Sequence, residues 1–333
     1  LKTCAIVILN YNGEEVLKTF LPSVVQFSTH DIWVIDNAST DGSLVFLEQT
    51  FPQISLIRLQ ANFGYAGGYN WGLESIKGEY EFLILLNSDV EVTSGWDAGL
   101  VGFLEGNPDY AAVQPKILSW KERGVFDYAG AGGGFLDALG YPYCRGRLWN
   151  HLEKDLGQYD DTIVVDWASG ACLAIRGKDF FAMEGFDAHF FAHMEEIDLC
   201  WRLRKAGRKI GYLGAVPVFH QGGATLDRAS PQKLYLNIRN SLSMLYKNEP
   251  GYRFMWIFMA KGFLEALGAL GFLLSGKREN AQAIMKGYAD FWRRKSLIQK
   301  QKKEPVREIP RSGPVNFLLG NVWLLGVRRF SDL

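Results

Sequence analysis

The run Phe82-Leu83-Ile84-Leu85-Leu86, ending in Asn87-Ser88-Asp89, constrains this chain more than any other stretch. Five consecutive apolar residues with no polar alternation predict a strand buried on both faces, as in the middle of a parallel sheet. Ligands of open α/β sheets bind outside the carboxyl ends of such strands. A carboxylate placed there, beside an amide and a hydroxyl, can hold a hard divalent cation and leave positions open for phosphate oxygens. Asn, Ser and Asp are also turn and cap residues. Taken alone the tripeptide reads as a turn, and its neighbours decide the matter.

Those neighbours alternate short apolar runs with helical patterns through the first 120 residues. Cys4–Leu9, Ile32–Ile35, Ser55–Leu59, Phe82–Leu86 and Ala111–Gln114 read as strands; Glu14–Phe27, Ser43–Gln49, Tyr65–Ile76 and Gly95–Glu105 read as helices. This spacing predicts βαβ units and an α/β fold with a mainly parallel sheet. Right-handed crossovers then bring the post-strand loops to one edge. The loops are Asn10-Tyr11-Asn12-Gly13, Asp36 to Gly42, Asn62-Phe63-Gly64 and Asn87-Ser88-Asp89, and all four are polar.

From Lys121 to Asp161 the pattern loosens into glycine- and aromatic-rich sequence, read as long loops or a small β-ribbon that carries specificity. Ile163–Asp166 and Ala171–Ile175 resume as strands, Glu195–Ala206 as a helix, and Lys209–Leu213 and Val216–Phe219 as two short strands; the remainder from Ser230 reads as helical. Lys plus Arg equals Asp plus Glu at 36 each, which gives no global nucleic-acid signature. Four scattered cysteines without a CxxC pair predict neither a zinc site nor a disulfide framework, and a reduced, cytosolic setting. The first apolar run is too short for a signal peptide.

Several segments carry chemistry. Asp36 ends an apolar run, where a carboxylate can accept from the ring N3–H of uracil or thymine; Ser39, Asp41 or Ser43 can cap the following helix. Asn62 to Gly72 is a glycine-rich turn entering a helix. That suits phosphate through free N–H groups, and suits close helix–sheet packing equally well. Glu195, Glu196 and Asp198 crowd one predicted helix start, among Phe186, Phe190, Phe191, Leu199 and Trp201. Such acids complement the helix dipole. An aromatic setting can also raise a carboxyl pKa and make a general base. His220 ends a short apolar run beside Gly222 and Gly223, where a cation or diphosphate contact is plausible.

Together these segments resemble the family 2 glycosyltransferases of the GT-A fold, and within them the bacterial rhamnosyltransferase-like branch that builds cell-surface polysaccharides. The resemblance spans roughly residues 3 to 250, through Ile8-Leu9-Asn10-Tyr11-Asn12, Asp36 to Ser43, Asn62 to Asn70, Leu86 to Asp89, Trp167 to Ala171, Glu195 to Arg202, and His220. It implies a Rossmann-like GT-A unit over 1–229, with a nucleotide-sugar half (1–120) and an acceptor half (121–229), followed by a helical extension over 230–333. It implies that Asp36 reads the base, and that Asn10, Asn12, Asn62, Gly64, Asn70, Asn87 and Ser88 line the nucleotide sugar. Asp89 and His220 would meet Mg²⁺ or Mn²⁺, and Glu196 would be the base, with Glu195 and Asp198 as alternatives. Asn87 stands where the family's DxD-type motif begins with Asp, and Glu196 where the family has Asp.

The implied reaction is an inverting transfer from a dTDP- or UDP-sugar, dTDP-rhamnose being the donor the branch suggests, to a polysaccharide or lipid-linked saccharide. A sugar-nucleotide pyrophosphorylase would need a G-x-G-T-R-type loop where Asn10-Tyr11-Asn12-Gly13 stands. A non-catalytic carbohydrate-binding or scaffold protein would not need Asp36, Asp89 and Glu195-Glu196 intact. Phe254 to Leu274 is long enough to span a bilayer, with Lys261 and Glu265 four apart near its middle. It reads as an interfacial helix, a core or homodimer helix, or a span. Trp256, Phe258 and the basic segment around Arg293-Arg294-Lys295 favour an anionic membrane surface. Eleven Lys/Arg stand against four Asp/Glu between Lys277 and Arg311. The expected location is therefore peripheral, on the cytoplasmic face of the inner membrane.

Overall fold

The computed structural model describes residues 1–222, 230–300 and 311–333. Gly223 and the 301–310 part of the basic tail lie outside the described residues. Strands β1 (Lys2–Asn10), β2 (Asp31–Asp36), β3 (Ser55–Arg58) and β4 (Tyr80–Asn87) alternate with helices α1 (Glu14–Phe27), α2 (Ser43–Thr50) and α3 (Gly64–Glu74). After the short β5 (Val90–Glu91) and α4 (Trp96–Gly106) comes β6 (Tyr110–Ser119). Four short strands follow, β7 (Gly134–Leu136), β8 (Pro142–Cys144), β9 (Arg147–Leu148) and β10 (His151–Leu152). Next come β11 (Thr162–Val165), β12 (Cys172–Arg176), α5 (Gly177–Ala182), α6 (Glu195–Lys205) and β13 (Lys209–His220). Helices α7 (Pro231–Asn248), α8 (Gly251–Leu274) and α9 (Arg278–Lys300) complete the list.

The main sheet runs β11-β13-β6-β12-β4-β1-β2-β3, with β5 pairing β13. Strands β1, β2, β3 and β4 are mutually parallel, while β12 inserts antiparallel between β4 and β6. The order therefore switches direction beside β1, with β2 on one flank and β4 on the other. A crevice opens at the carboxyl ends of strands at such a point. Register fixes what lines it: Asn10 pairs with Asp36, and Leu9 with Asn87.

The uninterrupted apolar runs are explained by burial on both faces. On β1, Cys4, Ile6 and Ile8 join the core beneath α1 and α4, while Ala5 and Val7 join the core that includes Tyr69 and Leu73 of α3. That second core continues into α7, α8 and α9 through Leu242, Phe254 and Phe291. Close helix packing needs glycine: a Cβ on Gly72 of α3 would fall 2.2 Å from the Ile35 side chain.

Two expectations change. Lys209 to His220 is one strand, not two; the break expected between Leu213 and Val216 is a register shift between Leu213 and Pro217 against β6. The loosely patterned 121–161 region holds a four-stranded antiparallel sheet, β10-β9-β8-β7. Residues 315–330 return to it. Val315 N donates to the Tyr143 hydroxyl at 3.1 Å, and the Phe330 ring stacks on Phe135 with centroids 5.7 Å apart.

Helix α8 is oriented oppositely to what its two charges suggest. Lys261 is only 1% exposed and Glu265 is buried, paired at 3.3 Å against the Tyr141 side. Phe258, read as a surface anchor, packs inward on Tyr288, Phe291 and Trp292. The outward face is apolar, with Met255, Trp256, Met259, Phe263, Leu267 and Leu270 exposed.

Candidate active site

Asp36 ends β2 buried, and its carboxylate is already held. Oδ1 accepts from Asn10 Nδ2 at 3.1 Å and Oδ2 from Ser39 N at 3.0 Å. Asn10 is itself buried and also donates to Ser39 Oγ, so it positions Asp36. Asn12 is exposed, with φ +49, and accepts from Thr40 N. Asp41 caps two helices at once, accepting from Glu14 N and Ser43 N. Asn37, which the sequence left unremarked, ties this loop to the next by donating to Asn62 Oδ1 and accepting from Phe63 N.

At the end of β4, Asn87 N donates to Ala171 O, and the half-buried side chains of Asn87 and Ser88 make no hydrogen bond among the described residues. Asp89 follows, buried. Backbone pairing of His220 with Val90, and Gln221 N on Asp89 O, bring the end of β13 against it. His220 Nε2 then lies 3.2 Å from Asp89 Oδ1, and Nδ1 lies 2.9 Å from Asp127 Oδ1. Burial alone would lower the His220 pKa, but the two flanking carboxylates outweigh it and raise it to about 10. Asp127 is a partner of His220 that the sequence did not reveal, because it stands alone in the loosely patterned region.

Glu195 and Glu196 open α6. Glu195 is 4% exposed and Glu196 half-buried; Oε2 of each lacks a hydrogen-bond partner among the described residues. Burial, then the neighbouring Glu196 charge, push Glu195 well above the usual carboxylate range; burial raises Glu196 to about 7. Phe191, His193 and Met194 all have positive φ (64, 71 and 74°) directly ahead of this pair. Non-glycine residues hold such backbone only where surroundings over-determine it, often at functional sites. Here the surroundings are on α7. Asn240 Nδ2 donates to the carbonyls of Phe190, Ala192 and His193, and Arg239 Nη2 to that of Phe190. Neither residue carried a sequence signal.

The segments meet. The Tyr65 hydroxyl donates to Gly170 O at 2.7 Å, Tyr65 N donates to Phe191 O at 2.7 Å, and the charges of Glu195 and Glu196 act on the same phenol. The Trp167 to Ala171 segment thus bridges the end of β4 and the start of α6.

The model of the glycosyl transferase family 2 matches residues 5–160. The N-acetylglucosaminyl-diphospho-decaprenol L-rhamnosyltransferase of Mycobacterium tuberculosis is 26% identical over 271 residues, covering 74% of this chain and 85% of that protein. Rhamnosyltransferase WbbL of Escherichia coli K12 is 24% identical over 220 residues, covering 65% of this chain and 81% of WbbL. This chain carries a family 2 glycosyltransferase domain over residues 5–160 and resembles rhamnosyltransferases over most of its length. The crystal structure of GalNAc-T7 with UDP, GalNAc and Mn²⁺ shares its fold, GT-A, with a TM-score of 0.59 at 17% identity, covering 92% of this chain and 59% of that one.

Three expected site residues do other work in the glycosyltransferase. Asn70 is a latch: it donates to Phe186 O at 2.7 Å and accepts from Phe186 N at 2.9 Å, which leaves its amide little for a ligand. Gly64, with φ +71, is where Phe191 crosses α3; a Cβ would lie 2.5 Å from the Phe191 ring. The N-terminal donors of α3 are consequently taken. Gly64 N goes to Asn62 Oδ1, and Tyr65 N and Ala66 N go to Phe191 O, so this helix end is not a free phosphate cradle. Asp198 is fully buried, bound by Arg202 at 2.7 Å, Lys247 at 3.0 Å and Asn248 at 2.8 Å. Burial opposes ionisation, but Lys247 and Arg202 prevail and hold its pKa at about 2. It ties α6 to α7 and is too weak a base at neutral pH.

The donor set suits a divalent cation shared with a ligand. Asp89 offers carboxylate oxygen and His220, once a cation displaces its proton, imidazole nitrogen, both acceptable to Mn²⁺, and Asp127 would orient the ring as carboxylates do behind metal-bound histidines. No group of three potential ligands is present among the described residues, so a cation held here would need further oxygens from its ligand.

Proposed function

We propose that the glycosyltransferase moves a sugar, with inversion, from a pyrimidine nucleotide-diphosphate donor to a saccharide hydroxyl, with Glu196 as general base. The observation that carries this is the unequal carboxylate pair on α6. Burial and the neighbouring charge favour the protonated form of Glu195, whereas the more open Glu196, with a pKa of about 7, can be ionised and then take a proton. Asp36 keeps acceptor capacity for the base's ring N–H, since a carboxylate offers about four lone-pair sites. Asp89 and His220 would hold Mg²⁺ or Mn²⁺ together with the diphosphate. When bound there, the cation supplies charge stabilisation for the leaving group. The acceptor oxygen gives its proton to Glu196 and bonds to the anomeric carbon as the bond to diphosphate breaks on the opposite face. The GalNAc-T7 complex with UDP and Mn²⁺ supports this donor chemistry, and the name of the M. tuberculosis relative supports a lipid-diphosphate-linked acceptor. Turnover of dTDP-rhamnose and UDP-sugars by wild-type and Glu196→Gln protein, with Mn²⁺ or EDTA, is the test. Metal-independent turnover, or turnover retained by the variant, would reject the mechanism.

The outer face of α8 supports peripheral attachment to an anionic membrane, on the cytoplasmic side. Its exposed apolar residues recur at three- and four-residue spacing, and α9 adds the exposed cations Arg278, Lys286, Arg293 and Arg294. The inner face is engaged with α9, which favours a helix lying along the surface over one crossing it.

A further inference from the structure

We propose that Arg147 on β9 is a diphosphate-binding residue, a role that rests on reading this crevice as a glycosyl-transfer site. Among the described residues four arginines are buried, and three have close partners. Arg145 meets Asp161 at 2.8 Å, Arg176 donates to Tyr110 O at 2.9 Å, and Arg239 to Phe190 O at 2.8 Å. Arg147 is 6% exposed and has no carboxylate partner. Its nearest acceptors are Trp149 O at 3.5 Å and the Cys144 sulfur at 3.6 Å, and its Nε has no partner at all. Burial keeps that thiol protonated, so it brings no charge. A guanidinium cannot discharge itself by losing a proton. A buried cation whose counter-charge, Asp127, is shared with His220 and makes no ion pair with it is costly, and the Tyr128 ring 4.3 Å away offsets only part of that cost.

The location selects the missing anion. Tyr128 directly follows Asp127, the carboxylate that orients His220 beside Asp89. Lys233 Nζ lies 5.9 Å from the same ring, and its charge reaches His193, two residues before Glu195. Two cations thus gather around one aromatic ring that borders both halves of the crevice. A planar fork of donors beside a second cation fits phosphate oxygens. The diphosphate could be the donor's own or one carried by the acceptor.

Thermal melting of the full chain with inorganic pyrophosphate in EDTA tests this without metal or turnover. The wild-type Tm should rise saturably. Arg147→Gln should weaken the apparent affinity roughly 10- to 100-fold, the worth of one or two charge-assisted contacts, and Arg147→Lys should retain part of it. Because the guanidinium makes no ion pair, Arg147→Met without ligand should melt at or above the wild-type temperature, whereas a purely structural arginine would lower it. No wild-type shift, or an equal shift in Arg147→Gln, overturns the proposal. Repeating the titration with saturating UDP and Mn²⁺ separates the sources: a shift that persists assigns an acceptor diphosphate, and one that vanishes assigns the donor's. If pyrophosphate binds through Arg147 while no nucleotide sugar binds, the transfer reading fails and the anion site stands.

Discussion

Asn240 donates to the carbonyl of His193 at 2.8 Å, which places a buried α7 amide in control of the backbone two residues before Glu195. Asn240→Ala should strip this donor from the Ala192 and His193 carbonyls, while Phe190 O keeps Arg239, and let the strained Phe191–Met194 segment relax. A stability loss of about 1–3 kcal/mol is expected for the unsatisfied groups, with kcat reduced more than donor affinity. Denaturant melts and single-turnover rates check it; wild-type kcat in a destabilised variant would reject the positioning role.

Glu196→Gln should lower kcat by about 10²–10⁴-fold with little change in donor binding. The wild-type rate should climb with pH through about 7, as Glu196 ionises, and level off above it. Glu195→Gln should keep this profile, because burial favours the neutral form of that carboxyl and the base is its neighbour. A lost profile in Glu195→Gln would move the base to Glu195.

Stability should follow Glu195 with the opposite slope. Its folded pKa lies above its unfolded value, so the folded state binds more protons once the unfolded carboxyl ionises near the ordinary glutamate value of 4.5. Stability is then full below that pH and falls as pH rises towards the folded pKa. Glu195→Gln should flatten this fall in Tm measured from pH 5 to pH 8.

Calorimetry of Mn²⁺ in the presence of UDP should separate ligand from support. Asp89→Asn should abolish metal-dependent nucleotide binding. Asp127→Asn should weaken it by about 10–100-fold, as loss of a carboxylate behind a metal-bound histidine does. Equal effects of both variants would reject the division of roles.

Trp256→Ser with Phe263→Ser should strip vesicle binding while leaving turnover of a soluble acceptor intact. Wild-type flotation should favour anionic over neutral vesicles and fall with salt, since the basic contribution is screened. A concentration-dependent dimer that persists without lipid, and is broken by the same changes, would assign the face to a second copy of the chain.

The sheet and the positions of Asp36, Asp89 and Glu195-Glu196 were legible because each obeys a local rule: a buried strand ending in a carboxylate, or acids opening a helix. Asp198 obeyed the second rule and misled, as did Asn70, which only the family resemblance had suggested. Their partners lie far along the chain, Phe186 for one and Lys247 with Asn248 for the other, and local spacing carries no trace of them. Lys261 and Glu265 show the limit from another side. Four-residue spacing placed them on one face of α8, but only packing against Tyr141 and α9 decided that this face looks inward.

The return of residues 315–330 to β7 and β8 bears on how the enzyme is made. Phe330 stacks on Phe135, and Leu318 N donates to Asp137. Strands β1 to β4 can pair as soon as they leave the ribosome, and domains generally fold in the order of synthesis. The antiparallel sheet that carries Arg147 waits for segments nearly two hundred residues downstream. A ribosome-bound chain stalled near residue 300 should therefore be able to form the nucleotide side while the opposite wall of the crevice is still unfinished, which would keep the nascent enzyme silent until its synthesis has passed that point.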